Sequence, residues 1–209
     1  MNRIALFATS IAIAIAAAAS FAPASAMDSS RGSNSLERIP YDYLGTLRSV
    51  GPTTRDAFAL AVSPYLHGYA EKTNTESCGE IARDAQHHYA LIWGTNHSHL
   101  GCIIPDGNVP SGYDPTGVTI HAHPVRPGFR MTVADVVLGQ FGAVGRYVGL
   151  FADTPSHFSA TDYQGGAGYL ATPNGSIYQN GSRSSTTVIT GTPCQVVLRQ
   201  QTSHYLASL

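Results

Sequence analysis

The chain has a single lysine, Lys72, in 209 residues, and its 12 basic side chains are balanced by 13 acidic ones for a net charge of -1. With so few cations there is no basic face for a nucleic-acid backbone and no polybasic patch for an anionic membrane surface. Cysteine is scarce, with three in all, and no C-x-x-C occurs, so a thiolate zinc site has no support. Only one apolar run is long, Ile4 to Ala19. It is short for a membrane span, and nothing after it is long enough to be one. There is no internal repeat, and tryptophan is represented by Trp93 alone, read as core packing.

What is present begins with a leader. Arg3, the apolar run and the small residues Ala24-Ser25-Ala26 have the form of a secretory signal peptide, residues 1–26, with no cysteine at the cleavage point. The expected location is therefore secreted or periplasmic, with no membrane span after cleavage. In that oxidising setting Cys78, Cys102 and Cys194 predict one disulfide and one remaining thiol, and three pairings stay open. About 180 residues remain, enough for one domain with a core. Residues 27–53 read as an N-terminal leader of the mature chain, in which 36–50 has no clear pattern. The domain itself is assigned to 54–209.

Within that domain Thr54 to Lys72 reads as the main helix, capped by Thr53 or Thr54, with a kink or break expected at Pro64. Strands are expected from about Cys78 and from Tyr89 to Gly94, with a turn at 84–88. Pro105 to Pro115 is a loop. Val118 to Pro124, Val-Thr-Ile-His-Ala-His-Pro, is a buried strand stopped by proline. Thr132 to Phe141 reads as a helix with Thr132 and Asp135 as a capping box. Ser159 and Asp162 repeat the pattern over about one turn. A hairpin over 168–179 and two last strands at 186–190 and 194–198 complete a mixed α/β domain of the α+β type, a central mixed sheet flanked by helices.

The chemistry starts at His121 and His123. Residues i and i+2 of a strand share a face, so the two imidazoles project together from the strand end. Two imidazoles there are half of a metal site. Glu76 lies upstream in Glu-Ser-Cys-Gly, and Ser159 and Asp162 lie downstream in Phe-Ser-Ala-Thr-Asp.

In this order, Glu, H-x-H-P and S-x-x-D, the chain resembles the JAB/MPN metalloprotease family with its JAMM signature, over about residues 54–179. The segment Gly-Tyr-Leu-Ala-Thr-Pro-Asn-Gly-Ser-Ile-Tyr is similar to a branch of small bacterial secreted and toxin-associated domains of that type. The resemblance implies a cytidine-deaminase-like JAB/MPN fold and a Zn2+ ion held by His121, His123 and Asp162. It further implies Glu76 as general base, Ser159 as oxyanion donor, and hydrolysis of a peptide or isopeptide bond. Expected substrates are peptides, protein tails or cell-wall stem peptides; the alternative is a catalytically silent binding or toxin-accessory module.

The family spacing also admits Thr132 and Asp135 in place of Ser159 and Asp162. Choosing Ser159 and Asp162 makes 125–157 an insertion, a lid or specificity loop. Glu80 competes with Glu76 and reads as a surface strand residue. A second H-x-H, His97-Ser98-His99, lacks the proline and reads as solvated or substrate-facing.

Overall fold

A computed structural model describes residues 39–151 and 154–199; the expected signal peptide and residues 27–38 of the leader lie outside them. The protein is mixed α+β, with an eight-stranded sheet, a small two-stranded sheet and three α-helices among the described residues. The strands are β1 Asp42–Ser49, β2 Ser77–Arg83, β3 Tyr89–Thr95, β4 Asp114–Ala122, β5 Gly128–Arg130, β6 Tyr147–Gly149, β7 Ala167–Thr172, β8 Gly175–Asn180, β9 Thr187–Ile189 and β10 Val196–Arg199. The helices are α1 Arg55–Thr73, α2 Val133–Gly139 and α3 Ala160–Gln164.

The large sheet runs β10-β1-β3-β2-β4-β7-β8-β9. Its pairs are antiparallel except β4–β7, which is parallel. A parallel pair needs a long crossover. Here the crossover is 123–166, which carries the small sheet β5–β6, α2 and α3. No described helix is long and apolar enough to cross a membrane.

α1 follows its capping residues. The Thr54 hydroxyl accepts the Ala57 N–H at 3.2 Å, and Asn74 closes the helix in the left-handed conformation, its N–H bonded to Ala70 O. Phe58, Ala59, Val62, Leu66 and Ala70 form the buried face, packed against Ile81, Leu91, Val118, Ile120, Ala122 and Tyr169 of the sheet. Of the kink or break expected at Pro64, the break does not occur: α1 is one helix of 19 residues. Pro64 lies on the exposed side, where water can satisfy the carbonyl that loses its N–H partner.

β1 falls in the stretch read as leader, yet it pairs with both β3 and β10. Its inward residues are Gly45, Leu47 and Ser49. Two of the three are small or polar, so the alternation that marks a half-buried strand is faint.

Candidate functional site

β4 separates two environments by its period of two. Val118, Ile120 and Ala122 enter the core, while Thr119 and His121, with His123 just past the strand end, line a cleft of about 560 Å³ on the opposite face. The exit from the strand is fixed from α1. Buried Asn74 accepts the N–H groups of Val125 and Arg126 through Oδ1, at 3.1 and 2.8 Å. α3, the last element before β7, brings Asp162 over the same cleft.

The three side chains converge. His121 Nε2 and His123 Nε2 are 3.1 Å apart, and the Asp162 oxygens stand 3.3 Å from the first and 3.2 Å from the second. The edge of a tetrahedron with bonds of about 2.0 Å is about 3.3 Å, so these donors are spaced as ligands of one ion. His121, His123 and Asp162 could together hold a metal ion. The far side of His123 is fixed too: Nδ1 meets the Thr154 carbonyl at 2.9 Å. A carbonyl can only accept, so Nδ1 carries the proton, and such an outer bond orients a ligand ring.

Electrostatics match the geometry. Burial by itself would lower His123, but the Asp162 carboxylate bonded to it and the nearby Glu76 hold it protonated, up to about 9. Burial pushes Asp162 upward, but bonds from His121 and His123 keep it far below the carboxylate range. A cation held by His121, His123 and Asp162 would take the place of the proton on His123 Nε2. Glu76 is buried and lines the same cleft. Burial raises its carboxyl, opposed by His123 and His121. Its backbone is clamped on both sides, the N–H giving to Ser98 O and the carbonyl accepting from Thr95 Oγ1, each at 2.7 Å.

Ser159 is exposed at the cleft rim. Its Oγ accepts the Asp162 N–H at 3.3 Å, and Asp162 Oδ2 accepts the Ser159 N–H at 2.6 Å, a complete capping box. The serine O–H is not used in that box. Gln179, fully buried and not foreseen from the sequence, supports this helix from β8, giving Nε2 to Asp162 O at 3.2 Å and also to Gly166 O.

Thr132 and Asp135 form the other capping box, and Asp135 does not belong to the group that His121 and His123 make with Asp162. Asp135 is wholly buried and accepts from Ser98 Oγ at 2.8 Å, the His99 N–H at 2.6 Å, His99 Nδ1 at 2.8 Å, and the Thr132 N–H and Oγ1 at 2.7 and 3.0 Å. Its oxygens are committed to these donors. His99 is thereby not solvated: its side chain is 11% exposed and its ring stacks on Phe129 at 4.1 Å. Exposed His97 instead bonds Asp42. Glu80 lies outside the cleft, where it accepts the Gly117 N–H.

The cysteine pairing is Cys78–Cys102, and Cys194 is free and half-buried. Both bonded cysteines line the cleft. The bridge ties 99–104, one wall, to β2 beside Glu76. The segment 125–157 contributes Leu138, Gln140, Leu150 and Thr154 to the lining, with α2 packed beside Leu100 and Gly101 of that wall. Compared with protein-family models, curated proteins and solved structures, the chain matches none.

Proposed function

We propose that the protein is an exported, zinc-dependent amide hydrolase of the JAB/MPN type, acting on peptide or protein substrates, cell-wall stem peptides among them. The observation that carries this reading is one cleft containing the His121–His123–Asp162 triangle and the buried, uplifted carboxyl of Glu76. Zinc bound to those three residues supplies a water of near-neutral pKa and polarises the scissile carbonyl.

The chain's own groups do the rest. Glu76 takes the proton of the attacking water as its oxygen bonds to the carbonyl carbon, and returns that proton to the amine nitrogen as the C–N bond breaks. A carboxyl raised by burial is suited to both halves of that transfer. Ser159 directs its free O–H at the oxygen that gains charge, while the same Oγ caps α3. The segment 125–157 acts as the specificity wall. The disulfide is of the kind that persists in an oxidising compartment, in keeping with the signal-like residues 1–26.

Zinc content and peptide hydrolysis test this together. Wild type should bind one zinc per chain, and His121→Ala or Asp162→Ala should lose it. Glu76→Gln should keep zinc while hydrolysis falls by at least about 100-fold. A protein that takes up no zinc sinks the reading.

A silent binding module is the second reading. It is favoured by the Asp162 carboxylate, which stands 3.3 and 3.2 Å from the two imidazoles and gives them a partner other than a metal. A zinc-free protein that still captures its partner supports it.

A further inference from the structure

One histidine in the cleft has no part in the metal triangle or in the proposed proton transfer. His99 follows Ser98, whose carbonyl accepts the Glu76 N–H, so His99 and Glu76 are mounted on one bonded backbone frame. The frame is tight: Ser98 is fully buried, its Oγ accepts the Leu100 N–H at 3.0 Å, and Thr95 Oγ1 accepts the His97 N–H at 2.9 Å.

The imidazole is held as firmly. Its plane lies within 5° of the Phe129 ring, and Nδ1 stands 2.8 Å from an Asp135 oxygen. A carboxylate so supplied with donors is an acceptor, so it fixes the proton on Nδ1. The other ring nitrogen, Nε2, has no bond among the described residues, and His99 is one of the residues that line the cleft. A buried Asp that sets the tautomer of a cleft histidine is an arrangement for presenting Nε2 to a ligand. Leu100, Ile103 and Ile104 line the cleft just beyond, and no described lining residue is lysine or arginine. The adjoining surface therefore suits an uncharged, apolar stretch of chain rather than a free carboxylate or a phosphate.

We propose that His99 is a substrate-contacting residue, its Nε2 hydrogen-bonded to an uncharged peptide backbone whose apolar side chain lies against Leu100, Ile103 and Ile104, with Asp135 as its positioning residue. The identity of the ligand as a peptide rests on the hydrolytic reading above; the contact itself requires no metal.

Two substitutions separate contact from scaffolding. The Asn amide nitrogen falls where Nδ1 stands, so His99→Asn keeps the donor to Asp135 and removes Nε2. The Gln amide reaches the place of Nε2, so His99→Gln does the reverse. The probe is N-acetyl-leucyl-glycinamide, titrated into the full mature chain with and without zinc, followed by the imidazole 15N signals and by the dissociation constant.

In wild type the His99 Nε2 signal should move saturably while Nδ1 stays protonated. His99→Asn, which keeps the bond to Asp135 but loses the ring stack on Phe129, should melt closer to wild type than His99→Gln and bind the probe at least about fivefold more weakly, the worth of one hydrogen bond. His99→Gln should melt lower and retain more of the affinity. His99→Asn binding like wild type overturns the proposal, and so does a wild-type cleft in which the His99 signals do not respond to the probe. A His99-dependent response in a zinc-loaded protein that hydrolyses no peptide sinks the hydrolytic reading and supports the contact.

Discussion

Asp135 and Asp162 are each the third helical residue of a capping box, and the side chains that reach them decide what each does. Asp162 faces two imidazole nitrogens across the cleft; Asp135 is enclosed by five donors from Ser98, His99 and Thr132. Burial tends to raise Asp135, but the bond from the His99 side chain, then the Thr132 and His99 N–H groups and the Ser98 hydroxyl, outweigh it and hold the carboxyl at about 2 against an ordinary 3.8. The folded value is depressed, so the contribution to stability is complete above about pH 4 and is lost as pH falls from there through about 2. At neutral pH it is worth on the order of 2 kcal/mol. Asp135→Asn should lower stability at pH 7 and flatten the acid limb between about pH 4 and 2, as read by denaturant unfolding across that range. An unchanged acid limb would show that other carboxylates carry it.

At the scale of elements, the cleft is a meeting of β4, the wall 99–104 and the crossover segment. The wall is a loop without ladder bonds, attached through the Ser98 and Asn96 side chains and the Cys78–Cys102 bridge. The bridge spans 24 residues, and for a closed loop of that size the chain-entropy contribution is about 3 kcal/mol. Reduction, or Cys78→Ser with Cys102→Ser, should lower the melting temperature and speed amide exchange over 96–104 first, with the α1–sheet core changing least. Hydrogen exchange followed peptide by peptide checks this; uniform loosening of the whole sheet would contradict it. Pro64 belongs to this scale as well. A kink or break in α1 was expected there, but the helix runs unbroken: at an exposed position of a helix held by Phe58, Val62 and Leu66, packing outweighs one missing bond.

Over the whole molecule, metal binding would be coupled to folding, because the candidate ligands come from the end of β4 and from α3 on the far side of the crossover. An ion that joins them favours the folded chain over the unfolded one, by about 2.7 kcal/mol at a hundredfold excess over its dissociation constant. Added zinc should therefore raise the wild-type melting temperature by several degrees, and His123→Ala should abolish the rise. A thermal scan with zinc and with a chelator reads both, and equal rises in wild type and variant would place the ion elsewhere.

Local physics was legible in the sequence. The period of β4 put His121 and His123 on one face, the Ser-x-x-Asp and Thr-x-x-Asp patterns marked two real helix starts, and Pro-Asn-Gly turned the β7–β8 hairpin. These depend on neighbours a few residues apart. β1 stayed hidden because Gly45 and Ser49 occupy core-facing positions where only strand pairing reveals their burial. The cysteine pairing stayed open because it depends on how the β2 strand and the wall loop lie in space. Nor could sequence say that Asp162 stands over the histidines while Asp135 locks His99, since both have the same local grammar. That choice was made by the parallel β4–β7 pair, whose crossover delivers α3 to the cleft and leaves α2 against Ser98 and His99.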